Sequence, residues 1–579
     1  MITYRCDKDN IECMSSICPV CRERTRLVQT DIFWCTDCQV PLFEEHCGRC
    51  GATGKRIGSD IRPVFPEERL LMEAVLGEPM KYHRDSVWNT AGNRYYANGR
   101  RIPFSVKKLA QVDADHIREQ IEAHAHENTY EYFDRMMKWF VEANQNRYEE
   151  IVSEATTYIR NMTQGYDAKD MFVSFSGGKD STVTGDLVTR ALANPRILHI
   201  FGDTTLEFPE TYAYVERFKK AHSTTTPVLS SRNKDKDFEQ LCKLLGPPSR
   251  VMRWCCTIFK TGAITRKIQT LFGKKERIVA FYGIRRSESA SRSKYDRESN
   301  SPKIAKQITV SPIIDWLDFD VWLYLMTTGI AFNSAYRLGY ARVGCYCCPN
   351  NSLWSEFLSS IFIPDKYNDF QNLLIDFAKK VGKKDAEVYV KEGKWKARQG
   401  GNGLDYARKS IVSYEPCVKE ENAFNYDLTR PITEELYELF KPFGTYQSEL
   451  GNKRLGEAYF TDADNNVVFV LQGRTGQTRC KVIVHREDAF HVKGMSKVRE
   501  KIDCQITKYQ MCMGCKACES VCRFNAITVK EMPDKSTSYT INEAKCVKCT
   551  ECVSHFSVGC YMRKVLTIKR EDKEGTTNA

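Results

Sequence analysis

Two kinds of pattern in this chain can do chemistry: a glycine-rich loop, Ser176-Gly177-Gly178-Lys179-Asp180-Ser181, and cysteines bunched into short runs. The loop follows an apolar stretch, Met171 to Phe175, that suits a buried parallel strand. Beyond it Val183, Leu187, Val188, Ala191 and Leu192 recur at helical spacing, so the loop sits at a strand-to-helix turn. Gly177 and Gly178 let the backbone approach a ligand closely, and the amides of the helix start converge on an anion with Ser176, Lys179 and Ser181. Asp180 adds a carboxylate able to hold a cation or orient a hydroxyl. An isolated glycine loop is also an ordinary turn, so the reading as a phosphate cradle depends on what surrounds it.

The 25 cysteines are unevenly placed, with eight before residue 51 and eight between 512 and 560. In a chain this long, repeated Cys-x-x-Cys spacing reads as metal ligation and not as a disulfide framework. Cys35/Cys38 and Cys47/Cys50 have the spacing of a zinc ribbon, and four thiolates leave no open position for catalysis. So short a segment has little apolar material, whereas a structural zinc contributes on the order of 10 kcal/mol to folding. Cys6, Cys13, Cys18 and Cys21 form a second set, or Cys18/Cys21 pair with Cys35/Cys38; one or two zinc ions are expected.

Near the other end, Cys512, Cys515, Cys518 and Cys522 have the x2, x2, x3 spacing of a bacterial ferredoxin run, and Cys546, Cys549 and Cys552 begin another. In two-cluster modules the fourth cysteine of each run ligates the other cluster. One 4Fe-4S site is therefore expected at Cys512, Cys515, Cys518 and Cys560, the other at Cys546, Cys549, Cys552 and Cys522. Seven residues precede Cys560 where three are usual, and Arg523 stands where proline is usual.

These groups must be positioned by several domains, since 579 residues exceed one core. The expected layout is a zinc ribbon over 1–59, a small β-rich module over 60–112, helices over 113–164, and a nucleotide domain over 165–350. A helical extension and basic connector over 351–415, a β-containing module over 416–503 and the ferredoxin-like module over 504–570 follow. The central domain alternates strands at 171–175, 196–201, 226–229 and 277–283 with helices beginning near Thr182, Pro209, Lys236 and Cys256, as a doubly wound α/β sheet does. Ligands of such sheets bind beyond the carboxyl ends of the strands, where the loop, Asp203 and Gly283 fall. No apolar run reaches membrane-spanning length and no signal peptide is seen, so no membrane association and a cytoplasmic location are expected. The formal charge of +12 permits a polyanionic partner: nucleotide, DNA or RNA such as tRNA.

Ser176 to Ser181, Asp203-Thr-Thr-Leu-Glu-Phe-Pro-Glu-Thr211, Cys255-Cys256 with Lys260, Gly283-Ile-Arg-Arg-Ser-Glu-Ser289 with Arg292, Pro312 to Asp320-Val-Trp322 and Gly344-Cys-Tyr-Cys-Cys-Pro349 stand in this order. Together they resemble the phosphoadenosine phosphosulfate (PAPS) reductase family, of the ATP-pyrophosphatase, adenine-nucleotide α-hydrolase-like fold, over about 165–350. The cysteine-rich head and tail resemble multidomain members carrying a zinc ribbon and a ferredoxin module.

The resemblance implies that Ser176, Gly177, Gly178, Lys179, Asp180, Ser181, Asp203, Gly283 and Arg292 bind an adenine nucleotide, either ATP or PAPS/adenylylsulfate. Lys179, Asp180, Arg285 and Arg286 would act in catalysis, with arginine forks on phosphate or sulfate oxygens. Cys255, Cys256, Cys345 and Cys348 match the ligands of a third 4Fe-4S cluster in related reductases and DNA phosphorothioation enzymes. Sulfonucleotide reductases also carry a terminal Glu-Cys-Gly-Leu-His-like motif; only Glu415-Pro-Cys417 faintly echoes it here. That difference and the full Ser-Gly-Gly-Lys-Asp-Ser loop favour ATP cleavage with Mg²⁺, giving an adenylated acceptor, coupled to reductive sulfur transfer from an electron donor. Reduction of PAPS or adenylylsulfate to sulfite, with Cys347, Cys417 or Cys504 as nucleophile, is the alternative, and a non-catalytic redox-sensing or nucleic-acid-binding module is a third.

Overall fold

The computed structural model describes all residues except 1–2, 7, 10, 14–17, 23–24, 30, 234–236, 274, 276, 290–291, 301–306, 399–411, 513, 515–516, 523, 533–536, 555–559, 565, 567 and 571–579. It divides into two compact units: Met1–Ser231 with Phe272–Asn300 and Gln307–Asp369, and Arg232–Leu271 with Ser301–Lys306 and Phe370–Ala579.

In the first unit the strands Val40–Leu42, Ile32–Cys35 and Lys55–Gly58 form a three-stranded antiparallel sheet. This segment is too short for a core of its own, and it borrows one: Trp34, Val40 and Leu42 pack in one cluster with Met136, Met137 and Phe140 of the helix Glu131–Ala143. The next sheet is fully antiparallel in the order Arg100–Arg101, Arg94–Ala97, Val87–Thr90, Ile61–Pro63. The helix Pro66–Leu76, which proline opens and Gly77 closes at φ 73°, shares a core with it through Leu71, Met72 and Ala74. On that helix Glu68, wholly buried, accepts both Arg62 Nη1 and Nη2 at 2.6 Å and the Tyr95 hydroxyl at 2.7 Å. Three further helices, Ala114–His124, Glu131–Ala143 and Gln145–Met162, follow, the first capped by the Asp113 side chain.

The six-stranded central sheet has the order Val228–Arg232, Leu198–Asp203, Met171–Phe175, Ile278–Phe281, Gln307–Val310, Glu298–Asn300. Met171–Phe175 runs parallel to both neighbours, Ile278–Phe281 runs parallel to Gln307–Val310, and Glu298–Asn300 closes the edge antiparallel. The chain builds outward from Met171–Phe175 and then returns to its other side, so Met171–Phe175 and Ile278–Phe281 flank the point where strand order reverses. Three of the expected strands begin one or two residues later than the apolar runs imply, and the strands at 298–300 and 307–310 were not anticipated. The polar Glu298-Ser299-Asn300 carries no apolar alternation; its ladder to Ile308–Val310 alone makes it a strand.

His199, 2 % exposed, packs inside this sheet with Nδ1 2.9 Å from the Ile197 carbonyl, and burial pushes its pKa down to about 4. Because the folded value lies below that of an unfolded histidine, the unfolded chain takes up the proton first, so stability is full above pH 6.5 and lost as pH falls toward 4. Chemical denaturation at pH 7.5 and 5 should show a loss of roughly 2 kcal/mol from this group. His199→Gln should remove that share of the pH dependence; an unchanged slope would show that His199 is not its source.

The second unit takes residues 232–271 out of the block expected over 165–350. Leu241, Leu245, Met252, Trp254 and Phe259 pack in one core with residues of the later chain such as Phe377 and Phe440. A seven-stranded sheet follows in the order Thr445–Gln447, Glu457–Thr461, Val467–Gln472, Arg479–Val484, Ala423–Asp427, Val412–Pro416, Ile568–Arg570. The last strand runs parallel to Val412–Pro416, although the helix Met495–Met511, the strand pair Ile527–Glu531 and Thr537–Ile541, and the terminal cysteine runs lie between Val484 and Ile568 in the chain. No described helix is long and apolar enough to cross a membrane.

Candidate nucleotide site and cysteine centres

The loop 176–181 leaves the strand Met171–Phe175 and enters the helix Lys179–Ala191 at the strand-order reversal. Gly177 has φ +70°, and a Cβ there would stand 2.9 Å from Thr211 Cγ2. The loop is tied inwardly: Ser181 Oγ donates to the Gly178 carbonyl at 2.9 Å, Asn333 Nδ2 donates to the Gly177 carbonyl at 3.0 Å, and the Lys179 amide donates to Tyr336 Oη at 3.0 Å. From the neighbouring strand end, Gly283 packs so closely that a Cβ would lie 2.5 Å from the Asp180 carbonyl carbon and oxygen. Glycine is required there because the obstacle is backbone, which has no rotamer to yield.

Four charges meet above these loops. Lys179 Nζ lies 3.0 Å from Asp180 Oδ2 and 3.0 Å from Asp318 Oδ1; Arg285 Nε lies 2.5 Å from Asp180 Oδ1, and its Nη2 2.7 Å from Asp318 Oδ1. Lys179 is 1 % and Arg285 4 % exposed. Burial alone would raise the Asp180 pKa, but Arg285 and Lys179 outweigh it and hold the carboxyl well below the usual range. Asp318 is lowered in the same way, by Lys179 and then Arg285 against burial. Behind it Asp60 accepts the backbone amides of Asp318 at 3.0 Å and Phe319 at 3.1 Å, at the start of the helix Asp318–Thr328. Burial, with Asp318 nearby, pushes Asp60 up to about 7.

Of the residues expected here, the structure gathers Ser176 to Ser181, Gly283 and Arg285. Asp203 lies at the next strand end, where its Oδ1 accepts the Thr205 amide at 2.8 Å and the Tyr212 hydroxyl at 2.9 Å. Arg286 is paired with Asp315 and donates to the Tyr295 carbonyl at 2.9 Å; Arg292 is paired with Glu288. Neither pairing is with Asp180 or Asp318. Asp318, Asp60 and Tyr336 were not singled out by sequence reasoning, although Asp318 lies inside the Pro312 to Trp322 motif and could have been found there.

Among the described residues, two groups can hold a metal: Cys35, Cys38, Cys47 and Cys50, and Cys6, Asp9, Cys18 and Cys21. In the first group Cys35 and Cys50 sulfurs are 3.5 Å apart and those of Cys38 and Cys47 3.8 Å apart, which fits a zinc tetrathiolate, whose edges are roughly 3.8 Å. The second group contains Asp9 where Cys13 was expected; the Cys13 side chain lies outside the described residues.

Cys345 and Cys348 belong to the first unit, and Cys255 and Cys256 to the second. Cys345 Sγ is 3.4 Å from Thr204 Oγ1, one residue past Asp203. Cys256 opens a wide π-helical turn, Cys256–Thr261, of a kind frequent at functional sites. Its thiol is held well below the ordinary range by Cys255, against burial, with help from Arg253, whose Nη2 is 3.4 Å away.

In the second unit Cys522, Cys546, Cys549 and Cys552 line one small recess together with Pro442 and Ile527. These are the four ligands expected for one of the terminal clusters, and an apolar recess lined by four thiols fits a thiolate-bound cluster. Of the other four, Cys515 lies outside the described residues, and Cys512, Cys518 and Cys560 are half-buried. Burial pushes Cys512 up to about 11. Lys508, 2 % exposed on the helix Met495–Met511, donates to the Cys552 carbonyl at 2.8 Å. Burial would lower its pKa, but Cys518, Cys504, Cys552 and Cys560 outweigh that and raise it.

Residues 170–351 match the phosphoadenosine phosphosulfate reductase domain and residues 511–555 the 4Fe-4S dicluster domain. Two uncharacterized proteins of Methanocaldococcus jannaschii are 30% identical over 44% of this chain and 60% of their own length, and 31% over 47% and 54%. This chain thus spans little more than half of those relatives. The adenosine 5′-phosphosulfate reductase of Anoxybacillus flavithermus is 31% identical over 34% of this chain and 82% of that protein. A solved PAPS reductase of Candida auris in a phosphate complex covers 35% of this chain and 96% of its own at 16% identity and a TM-score of 0.27, a likeness too weak to bear on chemistry. With a parallel α/β sheet carrying the Ser176 to Ser181 loop at its strand-order reversal, and with a dicluster module in the same polypeptide, the chain belongs to the phosphoadenosine phosphosulfate reductase family.

Proposed function

We propose that this chain is an iron–sulfur enzyme that binds ATP at residues 176–181, adenylates an acceptor and couples that step to reductive sulfur transfer. The observation that carries the reading is the buried group of Lys179, Arg285, Asp180 and Asp318 at the loop. Two cations suit phosphate oxygens and two ionised carboxylates suit a hard divalent cation, so ligand and metal can exchange partners with charges that now neutralise one another. Mg²⁺ bound there would offset charge on the triphosphate. The acceptor's nucleophilic atom forms a bond to the α-phosphorus, the α–β bridging bond breaks and pyrophosphate leaves; sulfur delivered as a persulfide then displaces AMP, and the two electrons from the donor cleave the S–S bond that still joins it to its carrier. The terminal clusters would bring in electrons from an external donor. A nucleic acid as acceptor accords with the formal charge of +12.

The relatives named adenosine 5′-phosphosulfate reductase favour a second reading, reduction of a sulfonucleotide to sulfite. It requires an accessible thiol, and two of the three candidate nucleophiles, Cys347 at 3 % and Cys504 at 1 % exposure, are buried; burial also raises the Cys504 pKa.

The two are separated in one anaerobic preparation of the full chain. Pyrophosphate released from ATP only when RNA or DNA is added is the expected result. Sulfite formed from adenylylsulfate or PAPS without ATP would overturn the proposal in favour of the second reading, and nucleotide binding with neither product would leave a sensor.

A further inference from the structure

The group of Cys6, Asp9, Cys18 and Cys21 contains a carboxylate in a place that a cysteine occupies in the group of Cys35, Cys38, Cys47 and Cys50. Each Cys-x-x-Cys turn of the ribbon has the same backbone signature. After Cys38 and Cys50 the chain enters the left-handed region, at Gln39 (φ 57°) and Gly51 (φ 78°), and the amides of those residues donate to the Cys35 and Cys47 carbonyls at 2.9 and 2.8 Å. Cys18-Pro-Val-Cys21 repeats it: Arg22 has φ 62° and its amide donates to the Cys18 carbonyl at 3.1 Å. A positive φ at arginine is strained and persists only where its surroundings impose it.

The partner of Cys18-Pro-Val-Cys21 in sequence is Cys6-x-x-Asp9, with the same two-residue spacing but aspartate at its end. The Asp9 amide donates to Cys6 Sγ at 3.3 Å, as the Cys38 amide donates to Cys35 Sγ at 3.3 Å. Asp9 Oδ2 lies 3.1 Å from Cys18 Sγ and 3.4 Å from Cys6 Sγ, and Cys6 and Cys21 sulfurs are 3.5 Å apart. A tetrahedral zinc with sulfur at about 2.3 Å and carboxylate oxygen at about 2.0–2.2 Å sets S···O edges of roughly 3.5 Å and S···S edges of roughly 3.8 Å. Cys13, by contrast, pairs by its backbone with Tyr4, two residues along the ladder from the Cys6–Ile11 pair and outside either turn.

We propose that Cys6, Asp9, Cys18 and Cys21 form a second zinc site of three thiolates and one carboxylate, and that Cys13 is not a ligand. Two zinc ions bind per chain, in unequal sites. The carboxylate is the harder ligand and makes this second site the one that gives up its metal first to a competing chelator.

The test is zinc content and release for the full chain, both read by element-resolved analysis of zinc after timed exposure to a chelator, so that iron from the clusters does not enter the count. Wild type should hold two zinc ions that leave in two phases, Cys13→Ser should do the same, and Asp9→Ala should hold one. Asp9→Cys should restore two and slow the faster phase at least tenfold. The variant pair guards against misfolding, since Asp9→Cys keeps a ligand at that position. Loss of one zinc in Cys13→Ser with two retained in Asp9→Ala would overturn the assignment, as would a single zinc in the wild type.

Discussion

Replacing Lys179 with alanine should lower kcat/KM for the nucleotide reaction by on the order of 10²–10³, the usual cost of removing one preorganised charge or donor at a reacting centre. Lys179 is almost wholly buried and bridges Asp180 and Asp318 at 3.0 Å each. Without it two buried carboxylates share Arg285 alone, and a triphosphate arriving beside them meets uncompensated like charge. Zinc and iron contents should stay at wild-type values, because among the described residues neither cysteine group able to hold a metal includes a residue of this loop. Gly283→Ala gives the same outcome by a different route: its Cβ would meet the Asp180 backbone at 2.5 Å and push the loop out of place while leaving every charge present. Nucleotide turnover within about threefold of wild type in both variants would remove this group from the reaction.

Lys508→Met should shift the midpoint potential of a terminal cluster to more negative values. A reduced cluster carries one more negative charge than an oxidised one, so a nearby buried cation favours the reduced form. Lys508 is fully enclosed, bound through Nζ to the Cys552 carbonyl at 2.8 Å, and its protonated state is favoured by the surrounding cysteines. Removing a unit charge several ångströms away at an effective dielectric near 20 is worth ~2 kcal/mol, or on the order of 90 mV for one electron. An EPR-monitored redox titration reads the shift, and Lys508→Arg should recover most of it. Equal potentials in wild type and Lys508→Met would show that the lysine serves packing alone.

Features with short covalent spacing were legible from the chain alone. The loop 176–181 sits between an apolar strand and a helix because those periodicities are local, and Cys35/Cys38, Cys47/Cys50 and the terminal runs declare themselves by their intervals. Partnerships made across the chain were not. Asp60 reaches the amides of Asp318 and Phe319 from more than 250 residues away, and no local pattern in Asp60-Ile61-Arg62 announces a helix cap for a distant element. Asp9 was missed for another reason: a carboxylate at the end of a Cys-x-x-Asp turn looks like surface charge until the turn's amide is seen on Cys6 sulfur. The helical stretch around Leu241 to Phe259 reads from its periodicity as one more element of the nucleotide domain, and no local pattern announces the core it shares with Phe377 and Phe440.

The parallel pairing of Ile568–Arg570 with Val412–Pro416 has a mechanical consequence. The polypeptide that carries the terminal cysteines leaves the seven-stranded sheet after Val484 and comes back to it at Ile568, so it is tied at both ends to one sheet. A redox module hung on a single linker can swing between donor and acceptor; one anchored twice cannot. Electron delivery would then depend on a donor docking against a stationary relay, and its rate would respond to mutations on that docking face and be indifferent to linker length.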